Sequence, residues 1–91
     1  MHELGIAISI LDAVRSQSSR YPGAHVRKVG VRIGEYSGVD TESLRFCFET
    51  LVKQDDLEPL AIEIEYCPAG NGTRGDELDL SYLEIEEPEI T

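Results

Sequence analysis

Apolar residues recur at helical spacing in two separate stretches of this chain and at strand spacing in three, and the order of those stretches limits the fold. Leu4, Ala7, Ile8, Leu11 and Val14 fall at i, i+3, i+4, i+7 and i+10, along one face of a helix. Ile6 and Ile10 widen that stripe, as expected of a helix covered on more than one side. Tyr21-Pro22-Gly23 stops it, because Pro lacks an amide donor and Gly tolerates a left-handed cap. Val29, Val31 and Ile33 then alternate with Gly30, Arg32 and Gly34, a strand with one buried face that ends at Tyr36-Ser37-Gly38. A second helix follows. Asp40 or Thr41 can cap it, Glu42 suits its positive end, and Leu44, Cys47, Phe48 and Leu51 share a face. Asp55-Asp56 and Pro59 close it. Leu60, Ile62, Ile64 and Tyr66 alternate with Ala61, Glu63, Glu65 and Cys67, a strand with an acidic outer side. After the turn-rich stretch Pro68 to Gly75, a third strand opens with Leu78, Leu80 and Tyr82 and slips phase to Leu83 and Ile85, as a β-bulge would produce.

The expected architecture is therefore α/β in the α+β sense: a two-layer domain in the order α-β-α-β-β, with a three-stranded mixed sheet covered by two helices. The strand–helix–strand part reads as a right-handed parallel crossover and the last two strands as a hairpin. Ninety-one residues suit a single domain, spanning 1–91. Eighteen acids against eight bases give a net charge of −10, which disfavours nucleic acid and anionic membrane alike. No run approaches the roughly 18 apolar residues of a membrane span. Met1-His2-Glu3-Leu4 lacks the cationic and apolar segments of a signal peptide, so the expected location is cytoplasmic. The last sixteen residues hold seven acids and no base, and the tail beyond Ile85 is expected to be solvated and frayed.

Catalysis finds little to work with. The histidines are His2 and His25, neither cysteine has a histidine near it in sequence, and no Gly-rich phosphate loop opens a helix. The expectation is that the chain is not an enzyme. Met1-His2-Glu3 is different, because a terminal α-amine, the amide nitrogen of residue 2 and an imidazole at position 2 can reach one ion in small chelate rings. A nitrogen or oxygen from Glu3 would complete four ligands, a set that suits Ni(II) or Cu(II). The ordinary reading of a Met-His start is an exposed, unselected terminus.

The wider sequence reverses that weighting. Met1-His2-Glu3-Leu4 before an amphipathic helix resembles the start of the hydrogenase nickel-incorporation proteins, the HypA/HybF family of nickel metallochaperones. Ile33-Gly34-Glu35 and Ser37-Gly38 match its characteristic strand and turn. Glu42-Ser43-Leu44-Arg45-Phe46 with Phe48-Glu49 looks like its second helix. Ile62-Glu63-Ile64, Gly75-Asp76-Glu77-Leu78 and Leu83-Glu84-Ile85-Glu86 look like its last two strands.

That resemblance implies a nickel site at the Met1 amine, His2 and Glu3, joined in some members by an Asp at the position of Asp40; capping the second helix is an equally good account of Asp40. It implies nickel(II) as cargo and delivery during maturation of [NiFe]-hydrogenase. The implied partners are the hydrogenase large subunit precursor and a nickel-handling maturation GTPase. One departure is large. The family carries a zinc module built from two pairs of Cys between its last two strands, whereas this chain has Cys67-Pro68 and then Ala69 to Gly75, so the module is read as absent between Cys67 and Asp76. No zinc is expected, since one thiol cannot supply about four ligands. Cys47, on the apolar face of its helix, is expected to be buried and inert. His25 and Arg74 are assigned no role. Open sheet edges and a shortened connection lead to an expectation of homodimers swapped at the last strand. The alternative function is an acidic protein-interaction module of the same fold, without metal delivery.

Overall fold

Five elements follow one another in the computed structural model, which describes residues 3–70, 72 and 74–86: α1 (Glu3–Ser18), β1 (His25–Gly34), α2 (Thr41–Gln54), β2 (Ala61–Cys67) and β3 (Leu78–Glu86). The sheet order is β2-β1-β3, with β2 parallel and β3 antiparallel to β1. The mixed sheet and its parallel β1–α2–β2 crossover agree with the sequence.

The hairpin does not. β2 and β3 lie on opposite sides of β1, and the charges explain why. β2 carries Glu63 and Glu65, and β3 carries Asp79, Glu84 and Glu86; side by side they would set acid against acid. β1 holds the bases. Arg32 makes a bidentate pair with Asp79 at 2.9 Å for both bonds, Arg27 pairs with Glu86, and Lys28 approaches Glu63 at 4.0 Å.

The alternating apolar side of β1 meets both helices. Val29, Val31 and Ile33 are buried with Ala7, Ile10, Leu11 and Val14 of α1, Leu44, Phe48 and Val52 of α2, and Leu60 and Ile62. Each large side chain so buried contributes on the order of 1.5–3 kcal/mol relative to exposure. The stripe on α1 is rotated from the expected one: Leu4 and Ile8 are exposed, and Ile10 is buried instead. Both sets of residues have helical spacing, and the contact of α1 with α2 as well as β1 selects between them. Cys47 is half-buried at the edge of the core rather than enclosed. Tyr66 continues the alternation of β2 in sequence but is exposed.

The bulge in β3 falls where the apolar phase slips. Gly30 pairs with Tyr82 and Val31 with Leu80, so Ser81 has no partner residue in β1. Gly30 is needed there, since a Cβ would stand 2.0 Å from the Tyr82 ring. The ring lies across β1 and its hydroxyl donates to Glu63 Oε1 at 2.7 Å, tying β3 to β2 over the middle strand.

Candidate metal centre at the amino-terminal end

β1 and β2 both run toward the end of the molecule where α2 begins, and α1 begins there too. The turn from Glu35 to Asp40 delivers the start of α2 to that place. Within it the Ser37 hydroxyl accepts a hydrogen bond from the Val39 amide at 3.2 Å. Asp40 is the cap: its Oδ1 accepts from the amides of Glu42 at 3.0 Å and Ser43 at 3.2 Å, satisfying two donors that a helix start leaves over. Both bonds use one oxygen, so Oδ2 stands outside the cap.

Glu3, the first residue of α1, is half-buried, and its Oε2 accepts from the Asp40 backbone amide at 3.1 Å. Two of the four expected ligand positions are thus in contact although far apart in sequence. Met1 and His2 lie outside the described residues. Among the described residues no group of three or more His, Cys, Asp or Glu side chains forms a metal cage, so any ion held here depends on donors from the terminus itself. An amine, an imidazole and a carboxylate form a mixed nitrogen and oxygen set, in keeping with a first-row divalent ion and open enough for ligand exchange.

The crossing segment 68–77 closes the same end. Glu35 donates its amide to the Cys67 carbonyl at 2.9 Å, and its Oε1 accepts from the Ala69 amide at 2.9 Å. The Gly34 amide donates to the Glu77 carbonyl at 2.8 Å. A Cβ on Gly34 would sit 2.3 Å from the Gly75 carbonyl oxygen, so the segment passes over β1 only because residue 34 is glycine. Nothing in the sequence marked Glu35 as the anchor of this segment.

Cys67 is buried at the end of β2, and its thiol is raised above its ordinary value by that burial and then by the neighbouring Glu65 carboxylate. A thiol held protonated is a poor ligand and a poor nucleophile. The sequence has one other cysteine, Cys47, on the face of α2 that packs on the core. His25 stands at the opposite end of β1, about 30 Å from Gly34 at roughly 3.3 Å per residue, and takes no part in this site. Arg74 is exposed and pairs with Asp76 at 3.4 Å.

Comparison with known proteins identifies the family. A family model described as hydrogenase/urease nickel incorporation, metallochaperone, hypA, matches residues 1–74, which contain α1 through β2 and stop short of β3. A hydrogenase maturation factor HypA of Geotalea daltonii is 40% identical over 74 residues, covering 81% of this chain and 64% of that protein. The HypA of Pelodictyon phaeoclathratiforme is 34% identical over 76 residues, covering 84% and 64%. That of Syntrophus aciditrophicus is 32% identical over 91 residues, covering 98% and 80%. The chain spans 64% of the length of the first two relatives. On the extent of these matches, the chain belongs to the HypA family of nickel-incorporation metallochaperones.

Proposed function

We propose that this chain is a nickel metallochaperone: it binds Ni(II) through the Met1 amine, His2 and Glu3, with Asp40 beside them, and delivers it during maturation of [NiFe]-hydrogenase. The observation that carries the reading is the hydrogen bond between Glu3 and Asp40, which brings the start of α1 against the cap of α2. It acts by coordination and transfer in the cytoplasm, and no substrate bond is broken. Its partners would be the hydrogenase large subunit precursor and the nickel-handling maturation GTPase. With two cysteines in the whole sequence, the domain spanning 1–91 works without the family's zinc module.

Calorimetry with Ni(II) tests the site. One ion per chain is expected, lost in His2→Ala and nearly lost when residues are added before Met1, which turns the amine into an amide. Binding should weaken as pH falls, because the α-amine (about 7.7–8.0 in model peptides) and imidazole (about 6.5) must shed protons to ligate. Unchanged nickel affinity in both variants would falsify the site. It would also favour the acidic interaction module, which the net charge of −10 suits.

A further inference from the structure

β3 is an edge strand whose apolar row is only partly covered. Leu78 and Leu80 are 46% and 36% exposed, although they pair with the buried Ile33 and Val31 and share their face of the sheet. With Gly5, Ser9 and Ile10 of α1 they bound an open groove of about 590 Å³. A second hollow of about 460 Å³ lies between Gln17 and Tyr21 on one side and Leu83 and Ile85 on the other. Both hollows share Ala13 and Leu80, so one trough follows β3 along its length. Its origin is plain in the sequence: α1 turns Gly5, Ser9 and Ala13 toward β3, and none is long enough to reach across.

Beside the trough, the outer edge of β3 has no strand partner among the described residues. Such an edge presents a row of backbone donors and acceptors to any extended chain. Charge selects which chain. β3 carries Asp79, Glu84 and Glu86 and no base. A second copy of β3 laid against it would oppose acids with acids, on two molecules each carrying a net −10. The strand that β3 does accept, β1, sets Arg32 between apolar Val31 and Ile33 and places Arg27 after Val26, and these two bases neutralise Asp79 and Glu86.

We propose that the free edge of β3 and the trough beside it form a docking surface for an extended segment of a second protein, one that alternates apolar side chains for the trough with basic ones for the acidic outer face. Its backbone extends the sheet, its apolar side chains pack along the trough, and its bases meet the exposed Glu84 and the negative field of a chain carrying a net −10. The trough opens at Gly5, two residues from Glu3, so a segment seated there runs up to the amino-terminal end. The proposal concerns this surface alone and holds whether or not the terminus binds nickel.

A synthetic peptide alternating valine and lysine is the probe, compared with one alternating valine and glutamate and with one of the first composition whose lysines are clustered. Amide shifts on the full chain should move along Leu78–Glu86 and around Ser9 with the first peptide only. Ser9→Trp fills the groove from an exposed helical position and should weaken that binding about tenfold or more with the thermal midpoint unchanged. Glu84→Lys, an exposed charge reversal, should weaken it several-fold, and added salt should do likewise. If Ser9→Trp fails to fold, the Glu84 variant and the peptide comparison decide alone. Equal binding of all three peptides, shifts along β2 instead, or no binding would overturn the proposal. So would sedimentation showing, without peptide, a dimer that Ser9→Trp dissociates, since the occupant would then be a second copy.

Discussion

Asp40 caps α2, and the proposed nickel site gives the same side chain a second role that a single substitution separates from the first. Its Oδ1 caps α2 and its backbone amide donates to Glu3, while its Oδ2 takes no part in the cap. Asn caps a helix about as well as Asp, so Asp40→Asn should leave stability nearly unchanged, whereas Asp40→Ala should cost about 1 kcal/mol. Asn offers no anionic oxygen. If Asp40 ligates nickel, Asp40→Asn should weaken nickel binding about tenfold or more at unchanged thermal midpoint. Calorimetry and thermal unfolding on both variants check this, and an Asn variant with native nickel affinity would confine Asp40 to the cap. The capping role was legible in Asp40-Thr41-Glu42, because a short acid before an apolar stripe has few other uses. The contact with Glu3 was not, since it depends on how α1 and α2 lie together.

At the scale of the elements, the sequence was most informative where period alone decides. The bulge at Ser81 follows from a phase slip that no regular strand can carry. Period does not fix the buried face of α1, because two stripes of equal spacing overlap and only the packing against α2 chooses between them. Period does not place β3 either: adjacency in sequence favours a hairpin, but the bases of β1 draw both acidic strands to its flanks. Tyr82 gives that arrangement a measurable signature. Its hydroxyl donates to Glu63, and this bond, with some burial, pushes its pKa up to about 12 from an ordinary value near 10. Between those values the folded chain keeps a proton that the unfolded chain has lost. Stability from this bond is therefore complete below about pH 10 and is lost as pH rises toward about 12. Tyr82→Phe should remove that part of the alkaline decline, as followed by thermal unfolding across the window. The Arg32–Asp79 pair acts at the other end of the scale, since the hydrogen bonds from Arg32 hold the Asp79 carboxyl below its ordinary value, and its stabilisation fades as acid protonates it.

Across the whole molecule, the buried core is drawn from α1, β1, α2, Leu60 and β2, with Leu83 of β3 packed against it, and the described residues of 68–77 contribute no apolar side chain. The expectation is therefore that folding needs no metal. The chain should unfold cooperatively in excess chelator, with the same midpoint whether or not zinc is added; a chain disordered until zinc arrives would overturn this. Nickel is a sharper case. An ion stabilises the folded state only to the extent that it binds there more tightly than to the unfolded chain. The Met1 amine and His2 are neighbours in any conformation, so a chelate made of them alone would form equally well in both states and leave the midpoint where it was. Asp40 meets Glu3 only when α1 and α2 are packed, so a chelate that includes Asp40 would form in the folded chain alone. Saturating nickel should therefore raise the midpoint of the native chain and leave that of Asp40→Asn unmoved, even though both still bind the ion. A rise of the same size in both chains would place Asp40 outside the site.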